Sequence, residues 1–349
     1  MTVTTECNLR CAYCFVKHRT WSMKEAVAKT SIDTLLNSQG NDKLLSFYGG
    51  EPFLNYKLLV SVIPYARNLA EERGKNLTIS ICSNGTLLDE KKARFLKKND
   101  VKLIISMVGR KRYHDRERVF SHYRGTYDSL INKLPFLFEI LGSCNVGVSL
   151  CVFPSTTNAL ESNFKHLVRL GFTYVNLEII REFEPWHPGV INLFSEKFLR
   201  IVRSVVAGIK NNKFLYFNPV NWELKYRLLS KEKAGCCPFE NKLEIYPSGE
   251  MAFSPFLFHC EEKERYMVGN VMEQSLRLFN WCSFGMHDMI CKKCVYDYLQ
   301  GYKGDPGATH AYRVYQTIAR EAAGFIRSLA RTNPSCRRYV DTVCKQICY

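Results

Sequence analysis

The sequence predicts an α/β protein: a partial (β/α)6 barrel of the TIM type, followed by a small cysteine-rich extension. Three observations predict it. Six short strand-like runs alternate with longer runs of helical periodicity, which is the pattern of repeated βα units and a parallel sheet. The stretches that carry chemistry fall just after the first three of those runs, where ligands meet an α/β barrel. After residue 180 the alternation stops, and from Cys236 onward cysteines become frequent.

Residues 1–6 supply a stub of a first strand and a cysteine loop follows at once, so no peptide-recognition domain is expected ahead of it. The spacing predicts a helix over 22–38, a strand over Lys43 to Tyr48, a helix over Asn55 to Arg73 and a strand over Leu77 to Cys82. A helix over Asp89 to Lys98, a strand over Val101 to Ser106 and a helix over Thr126 to Leu141 follow, the last preceded by Gly125. Next come a strand over Asn145 to Phe153, a helix from Ser155 to Leu170 and a sixth strand over Tyr174 to Ile180. Beyond it lie an aromatic loop over Glu182 to Pro188, a helix over Phe194 to Lys210 and a connector over Asn211 to Asn221. A hairpin turning on Pro247-Ser248-Gly249, an amphipathic helix over Thr309 to Leu329 and a short tail with three cysteines complete the chain. The expected domains are a barrel over 1–215, an extension over 216–308, and a helix with its tail over 309–349.

A chain of 349 residues with 46% hydrophobic content buries a large core and exceeds one average domain. Its 15 cysteines are an odd number and no apolar signal run precedes them. That argues against a secreted disulfide framework and for metal-bound thiols in a reducing cytosol, so a cytoplasmic location is expected. No apolar run reaches the roughly 20 residues that span a bilayer, and no membrane partner is expected. The net charge of +16 reads as a solvated surface or as attraction for an acidic partner. Nucleic acid is not expected, because the basic runs Arg110-Lys111-Arg112 and Lys91-Lys92 are short and lack interleaved aromatics.

Cys7-Asn8-Leu9-Arg10-Cys11-Ala12-Tyr13-Cys14 has the spacing CxxxCxxC. Three thiolates this close do not fit along a rigid strand or helix, but a loop wraps them round three corners of one 4Fe-4S cube and leaves the fourth iron open. The same spacing admits zinc or a disulfide. Two further stretches bear on the choice: Gly49-Gly50-Glu51-Pro52 after the run Leu44 to Tyr48, and Ser83-Asn84-Gly85 after Leu77 to Cys82. Together these resemble the radical S-adenosylmethionine enzymes, whose signatures are CxxxCxΦC and then a GGEP-type motif. The resemblance sets zinc aside and implies a mechanism in which S-adenosylmethionine chelates the open iron. The reduced cluster splits the sulfonium, and the resulting 5′-deoxyadenosyl radical takes a hydrogen atom from an unactivated carbon. A flavodoxin or ferredoxin is the implied electron donor.

The resemblance also implies a site. Cys7, Cys11 and Cys14 would hold the cluster, and Tyr13 would lie against the adenine. Gly49, Gly50, Glu51, Pro52, Ser83 and Asn84 would line the cofactor, the glycines allowing close backbone approach. Ser106-Met107-Val108-Gly109, His114 to Arg118 and Gly125-Thr126-Tyr127-Asp128 look like the SxDGxxxxHDxxR and GT(F/Y)D run of peptide-modifying members, the sulfatase maturases and sactipeptide synthases. On that likeness Ser106 and Arg118 would touch the ribose and carboxylate of S-adenosylmethionine. Val108 stands where those members carry Asp. Val148 to Cys151 matches the segment over the adenine, making Leu150 an apolar contact. From the residues alone Leu150 reads equally as a core leucine, and Cys82, Cys144 and Cys151 as small apolar residues.

From Cys237 to Gly304 the chain resembles a SPASM or twitch extension in its "PxG" turn, in Met267 to Val271 and in Cys291-Lys292-Lys293-Cys294. The seven-cysteine pattern of such extensions fails at Ser254, Gln300 and Gly304. One auxiliary 4Fe-4S cluster is expected on Cys237, Cys260, Cys291 and Cys294, with Cys282, Cys336, Cys344 or Cys348 able to replace Cys260; the CxxC pair by itself also admits zinc. Pro255 stands where sulfatase maturases keep an Asp base, so sulfatase maturation is not expected. The expected function is hydrogen abstraction from a ribosomally synthesised precursor peptide, giving a thioether or carbon-carbon cross-link or an epimerised residue. A radical enzyme acting on a small molecule or tRNA competes with that reading, as does a silent peptide-binding relative. The intact cysteines and Gly49 to Pro52 argue against the silent relative.

Overall fold

Strand and helix alternate along the chain as the periodicity predicts. The computed structural model describes residues 1–16, 20–180, 183–229, 243–252, 258–259, 267–273 and 306–345. Cys237, Cys260, Cys291 and Cys294, the expected auxiliary ligands, lie outside the described residues, as do Cys282, Cys348, Ser254 and Pro255. The chain divides into two compact units. One comprises Met1–Arg10, Cys14–Lys102 and Gly235–Lys303; the other comprises Cys11–Tyr13, Leu103–Ala234 and Gly304–Tyr349.

In the first unit β1 (Thr2–Thr4) runs parallel to β2 (Asp42–Gly49), and β2 runs parallel to β3 (Asn76–Ser83) in register from Asp42↔Asn76 to Phe47↔Ile81. The helices α1 (Glu25–Asn37), α2 (Tyr56–Glu72) and α3 (Glu90–Lys98) alternate with them. Leu45 and Phe47 of β2 and Ile79 and Ile81 of β3 are buried, as are Ile32 and Leu36 of α1 and Leu59 and Ile63 of α2. Each such side chain contributes about 1.5–3 kcal/mol by leaving water. Asp89 opens α3 as its N-cap, accepting the Lys92 N–H at 2.8 Å and satisfying one of the orphan donors of the first turn.

In the second unit β4 (Val101–Met107, within this unit from Leu103) is parallel to β5 (Val146–Val152), β5 to β6 (Tyr174–Ile179), and β6 to β7 (Tyr216–Phe217). β5 is buried along its whole length, as an inner strand of an α/β layer should be. Its helices are α4 (Lys111–Glu117), α5 (Tyr127–Ile131), α6 (Leu134–Leu141), α7 (Leu160–Arg169), α8 (Pro188–Lys210) and α9 (Asn218–Leu229). The single helix expected over Thr126 to Leu141 is thus two. Pro135 has no N–H for the Ile131 carbonyl, so the helix stops and restarts with Pro135 in its first turn, where no donor is missed. The expected six strands are joined by a seventh. The supposed connector from Asn211 holds β7, paired through Tyr174↔Tyr216 and Val175↔Phe217, and then the start of α9.

The hairpin of the first unit pairs β8 (Glu244–Ile245) with β9 (Glu250–Ala252) through a turn in which Gly249 has φ +89°. A third strand, β10 (Gly269–Asn270), pairs antiparallel with β9. In the second unit α10 (Pro306–Leu329) lies against α8, and the Tyr315 ring stacks on Phe198 at 5.2 Å. Where a short tail was expected there is a further helix, α11 (Pro334–Lys345). Tyr339 anchors it by donating to Asn221 Oδ1 at 2.6 Å. Cys336 is fully buried in that helix and burial pushes its thiol pKa up, the setting of a packing residue. Among the described residues no helix is long and apolar enough to cross a membrane.

Candidate functional site

The loop after β1 carries the three motif cysteines. Cys7 and Cys14 belong to the first unit, Cys11 and Tyr13 to the second. All three are thiols outside any disulfide; Cys7 and Cys11 are half-buried and Cys14 is exposed. Cys7 Sγ accepts the Leu9 N–H at 3.4 Å and Asn84 Nδ2 at 3.8 Å, and the Cys14 thiol points to the Val16 carbonyl at 3.9 Å. Among the described residues no three His, Cys, Asp or Glu side chains gather around a single ion position.

The end of β2 meets residues 4–6 backbone to backbone. Gly50 N–H donates to the Thr4 carbonyl and Glu51 N–H to the Glu6 carbonyl, both at 2.8 Å. A Cβ on Gly50 would lie on the Glu6 carbonyl, 2.5 Å from its carbon and 2.9 Å from the Thr5 oxygen. Gly49 has φ +142°, a backbone that side chains rarely adopt. The two glycines therefore let β2 close on the segment that leads into the cysteine loop. Pro52 then opens a short 3-10 turn, Pro52–Asn55.

Glu51 is completely buried. Its Oε1 accepts Phe53 N–H at 3.1 Å and the Ser83 hydroxyl at 2.9 Å, and its Oε2 accepts Asn84 N–H at 2.8 Å. The carboxylate so ties the end of β2 to the loop after β3. In that loop Asn84 Nδ2 donates to Asn8 Oδ1 at 2.9 Å, Asn8 Nδ2 donates to Thr86 Oγ1 at 2.8 Å, and Thr86 Oγ1 donates back to Asn84 Oδ1 at 2.7 Å. Motif reading singled out Asn84 and missed Asn8 and Thr86, which close the ring with it.

The second unit holds the remaining described residues of the predicted set, Cys11, Tyr13, Ser106, Arg118 and Leu150. Ser106 of β4 lies in register with Ser149 of β5, and Leu150 is buried between Met107 and Leu177 in register. Val108 joins Cys151 and Phe153 in an apolar cluster, with Tyr13, Tyr113 and Phe183 packed against it. The Tyr13 ring stands 5.4 Å from Phe153 and 6.3 Å from Phe183. Its phenol, enclosed though the ring is half-buried, accepts from the Arg118 guanidinium at 2.6 Å and hydrogen-bonds Cys151. Burial pushes the phenol well above the usual tyrosine range while Arg118 pulls the other way, so Tyr13 stays neutral.

Arg118 caps α4 and is only 7% exposed. Burial opposes its charge, but Cys11, Tyr13 and Cys151 more than offset that and hold the guanidinium charged. His114 on the same helix is buried, and its Nε2 lies 3.0 Å from Thr126 Oγ1, whose own proton goes to the Arg118 carbonyl at 2.9 Å. Nε2 therefore carries the imidazole proton. Burial, reinforced by Arg118 and Lys111, depresses the His114 pKa well below the usual histidine range and leaves it neutral. Ala12 N–H donates to the Glu117 carbonyl at 3.0 Å, pinning the middle of the cysteine loop to the end of α4.

These residues fit a thiolate-held iron-sulfur cluster and an anionic cofactor group. The donor set is three accessible or half-accessible thiols, soft ligands suited to iron-sulfur clusters. Arg118 Nε is buried without a hydrogen-bond partner among the described residues. A buried unsatisfied guanidinium N–H is costly, and a carboxylate satisfies it.

Residues 1–118 match the model of the Radical SAM superfamily. The chain carries a radical SAM domain. The superfamily uses a 4Fe-4S cluster and S-adenosylmethionine, and this chain is a radical SAM enzyme. It is homologous to the cysteine-type anaerobic sulfatase-maturating enzyme of Clostridium novyi, 24% identical over 83% of each chain. The solved structure of histidine-tagged anSMEcpe with bound AdoMet has a TM-score of 0.72 at 16% identity, covering 98% of this chain and 96% of that one. Streptococcus suis SuiB bound to precursor peptide SuiA has a TM-score of 0.56 at 12% identity, covering 82% of this chain and 64% of that one. Those likenesses show the fold: the parallel strands and their helices form a radical SAM partial barrel.

Proposed function

We propose that this radical SAM enzyme takes a hydrogen atom from a ribosomally synthesised precursor peptide and leaves it cross-linked or epimerised. The alignment with a sulfatase-maturating enzyme over 83% of both chains carries the reading, because it extends far beyond residue 118 into the part of the chain that would meet substrate. SuiB, which shares the fold, is described with a precursor peptide bound. Pro255 offers no carboxylate where sulfatase maturases resemble one another in keeping Asp, which favours a peptide other than a sulfatase.

Cys7, Cys11 and Cys14 hold the cluster in this reading. When bound, the cluster and S-adenosylmethionine together supply a 5′-deoxyadenosyl radical. Arg118 takes the cofactor carboxylate with the donors that Tyr13 leaves open, and Tyr13, Leu150 and the apolar cluster exclude water around the adenine. Ser106 takes the ribose. Gly49, Gly50, Glu51, Pro52, Ser83 and Asn84 are the first unit's contribution to the cofactor site. The barrel takes in β7 and α9, beyond the boundary expected at 215, and Cys237, Cys260, Cys291 and Cys294 of the extension that runs on to 308 hold a second cluster. The helices of 309–349 pack on α8 and α9. A flavodoxin or ferredoxin in the cytosol delivers the electron.

The test uses anaerobically reconstituted full-length protein with S-adenosylmethionine, a reductant and the peptides encoded by short reading frames beside its gene. The expected results are 5′-deoxyadenosine and a peptide changed by loss of two mass units or by deuterium uptake, both abolished by Cys11→Ala. Cofactor cleavage with every such peptide unaltered, and a small molecule or tRNA altered instead, overturns the peptide reading.

A further inference from the structure

The side-chain amide of Asn84 makes four hydrogen bonds, and their pattern decides which end of it faces Cys7. Oδ1 accepts from the Thr86 backbone N–H at 2.9 Å and from the Thr86 hydroxyl at 2.7 Å. A backbone N–H is only a donor, so this end of the amide must be the oxygen. The other end is then NH2, with one hydrogen to Asn8 Oδ1 at 2.9 Å and the other to Cys7 Sγ at 3.8 Å. Asn8 Nδ2 returns to Thr86 Oγ1 at 2.8 Å and closes the ring. The backbone beneath is held too: Asn84 N–H donates to Glu51 Oε2 at 2.8 Å and Gly85 N–H to Ser83 Oγ at 2.9 Å. Asn84 is 6% exposed and Thr86 9%, so water competes little for these bonds.

We propose that Asn84 is a positioning residue for Cys7: its amide holds the sulfur in place and raises the potential at which a cluster bound there accepts its electron. The inference rests on the reading of Cys7 as a cluster ligand. A donor aimed at a ligating sulfur stabilises the more negative, reduced state, one of the levers by which a protein sets a cluster's potential. Asn84 acts in this way on the thiolate itself, apart from any part it has in the cofactor site. Glu51 and Ser83 act one step further back, by holding the loop from which Asn84 projects.

The experiment compares reconstituted wild-type protein with Asn84→Leu, which keeps the shape and removes the donor, and Thr86→Val, which keeps the donor and removes two of the bonds that aim it. Iron content is measured first, then the midpoint potential without S-adenosylmethionine by electron paramagnetic resonance. Asn84→Leu should lower the equilibrium constant for reduction by on the order of tenfold, about 59 mV for one electron. Thr86→Val should move it less and in the same direction. Wild-type potentials in iron-replete variants overturn the proposal even if both melt earlier, since a merely structural role moves stability alone. If Asn84→Leu retains no iron, the Thr86→Val potential decides by the same criterion. Wild-type protein that takes up no cluster overturns the reading of Cys7, Cys11 and Cys14 itself, and this inference with it.

Discussion

Replacing Gly50 with Ala measures how closely the end of β2 approaches residues 4–6. The new methyl would fall on the Glu6 carbonyl, 2.5 Å from its carbon and 2.9 Å from the Thr5 oxygen, whereas ordinary contact begins near 3.4 Å. Both obstacles are backbone, so no rotamer change relieves them. The two segments must part by roughly an ångström, which takes Gly50 N–H to Thr4 O and Glu51 N–H to Glu6 O, each now 2.8 Å, beyond hydrogen-bond length. Overpacking of this kind costs about 1–3 kcal/mol. Each lost bond adds about 1 kcal/mol. Gly50→Ala should therefore destabilise the iron-free protein by about 3–5 kcal/mol, read as a lower urea midpoint at unchanged slope. In an open turn with a compatible backbone the same change would stabilise by about 0.4–1 kcal/mol. A variant within about 1 kcal/mol of wild type would refute the close approach, and with it the claim that Gly50 serves the chain's own backbone.

His114→Gln tests the neutral imidazole behind Arg118. The folded-state pKa is depressed, so below the ordinary value of about 6.5 the unfolded chain takes up a proton that the folded chain refuses, and stability falls as the pH falls. Glutamine keeps a donor for Thr126 and does not titrate. Between pH 7 and 5.5 the variant should lose about 1 kcal/mol less stability than wild type, measured from urea midpoints, and identical losses would contradict the buried neutral state. Arg118→Lys keeps the charge but gives up the planar fork and the Nε–H that has no partner among the described residues. Calorimetry on cluster-loaded protein should show S-adenosylmethionine binding weakened by on the order of ten- to a hundredfold, and wild-type affinity would remove Arg118 from the cofactor site.

Much of the fold was legible because its strands declare themselves. Runs such as Leu77 to Cys82 and Val101 to Ser106 are short, apolar and rich in β-branched residues, and the observed β3 and β4 extend them by only a residue or so. What escaped has physical causes. β7 is two residues long and carries no period at all; it exists because Tyr216 and Phe217 find the free edge of β6. α11 is short, and its hold comes from Tyr339 reaching Asn221, 118 positions away. The break at Pro135 was written in the chain, and the apolar periodicity around it outweighed the one residue that cannot continue a helix.

The site shows a different limit. Spacing locates a motif, but it does not say whether a polar residue in that motif touches the ligand or supports a neighbour that does. Glu51 and Arg118 separate the two cases by their hydrogen bonds. Both oxygens of the Glu51 carboxylate are engaged by Phe53 N–H, the Ser83 hydroxyl and Asn84 N–H, groups of its own unit, the last two of them more than thirty positions on. Arg118, also buried, gives one donor to Tyr13 and keeps Nε without a partner among the described residues. Burying a charged group with a donor unspent is costly unless something arrives to accept it. A ligand carboxylate would offset that cost in Arg118, as proposed above, whereas Glu51 already has donor partners on both oxygens and holds the loop that carries Asn84. On the proposed reading, two residues that the motifs mark alike divide into a contact and a brace, and the difference lies in partners that neither spacing nor composition records.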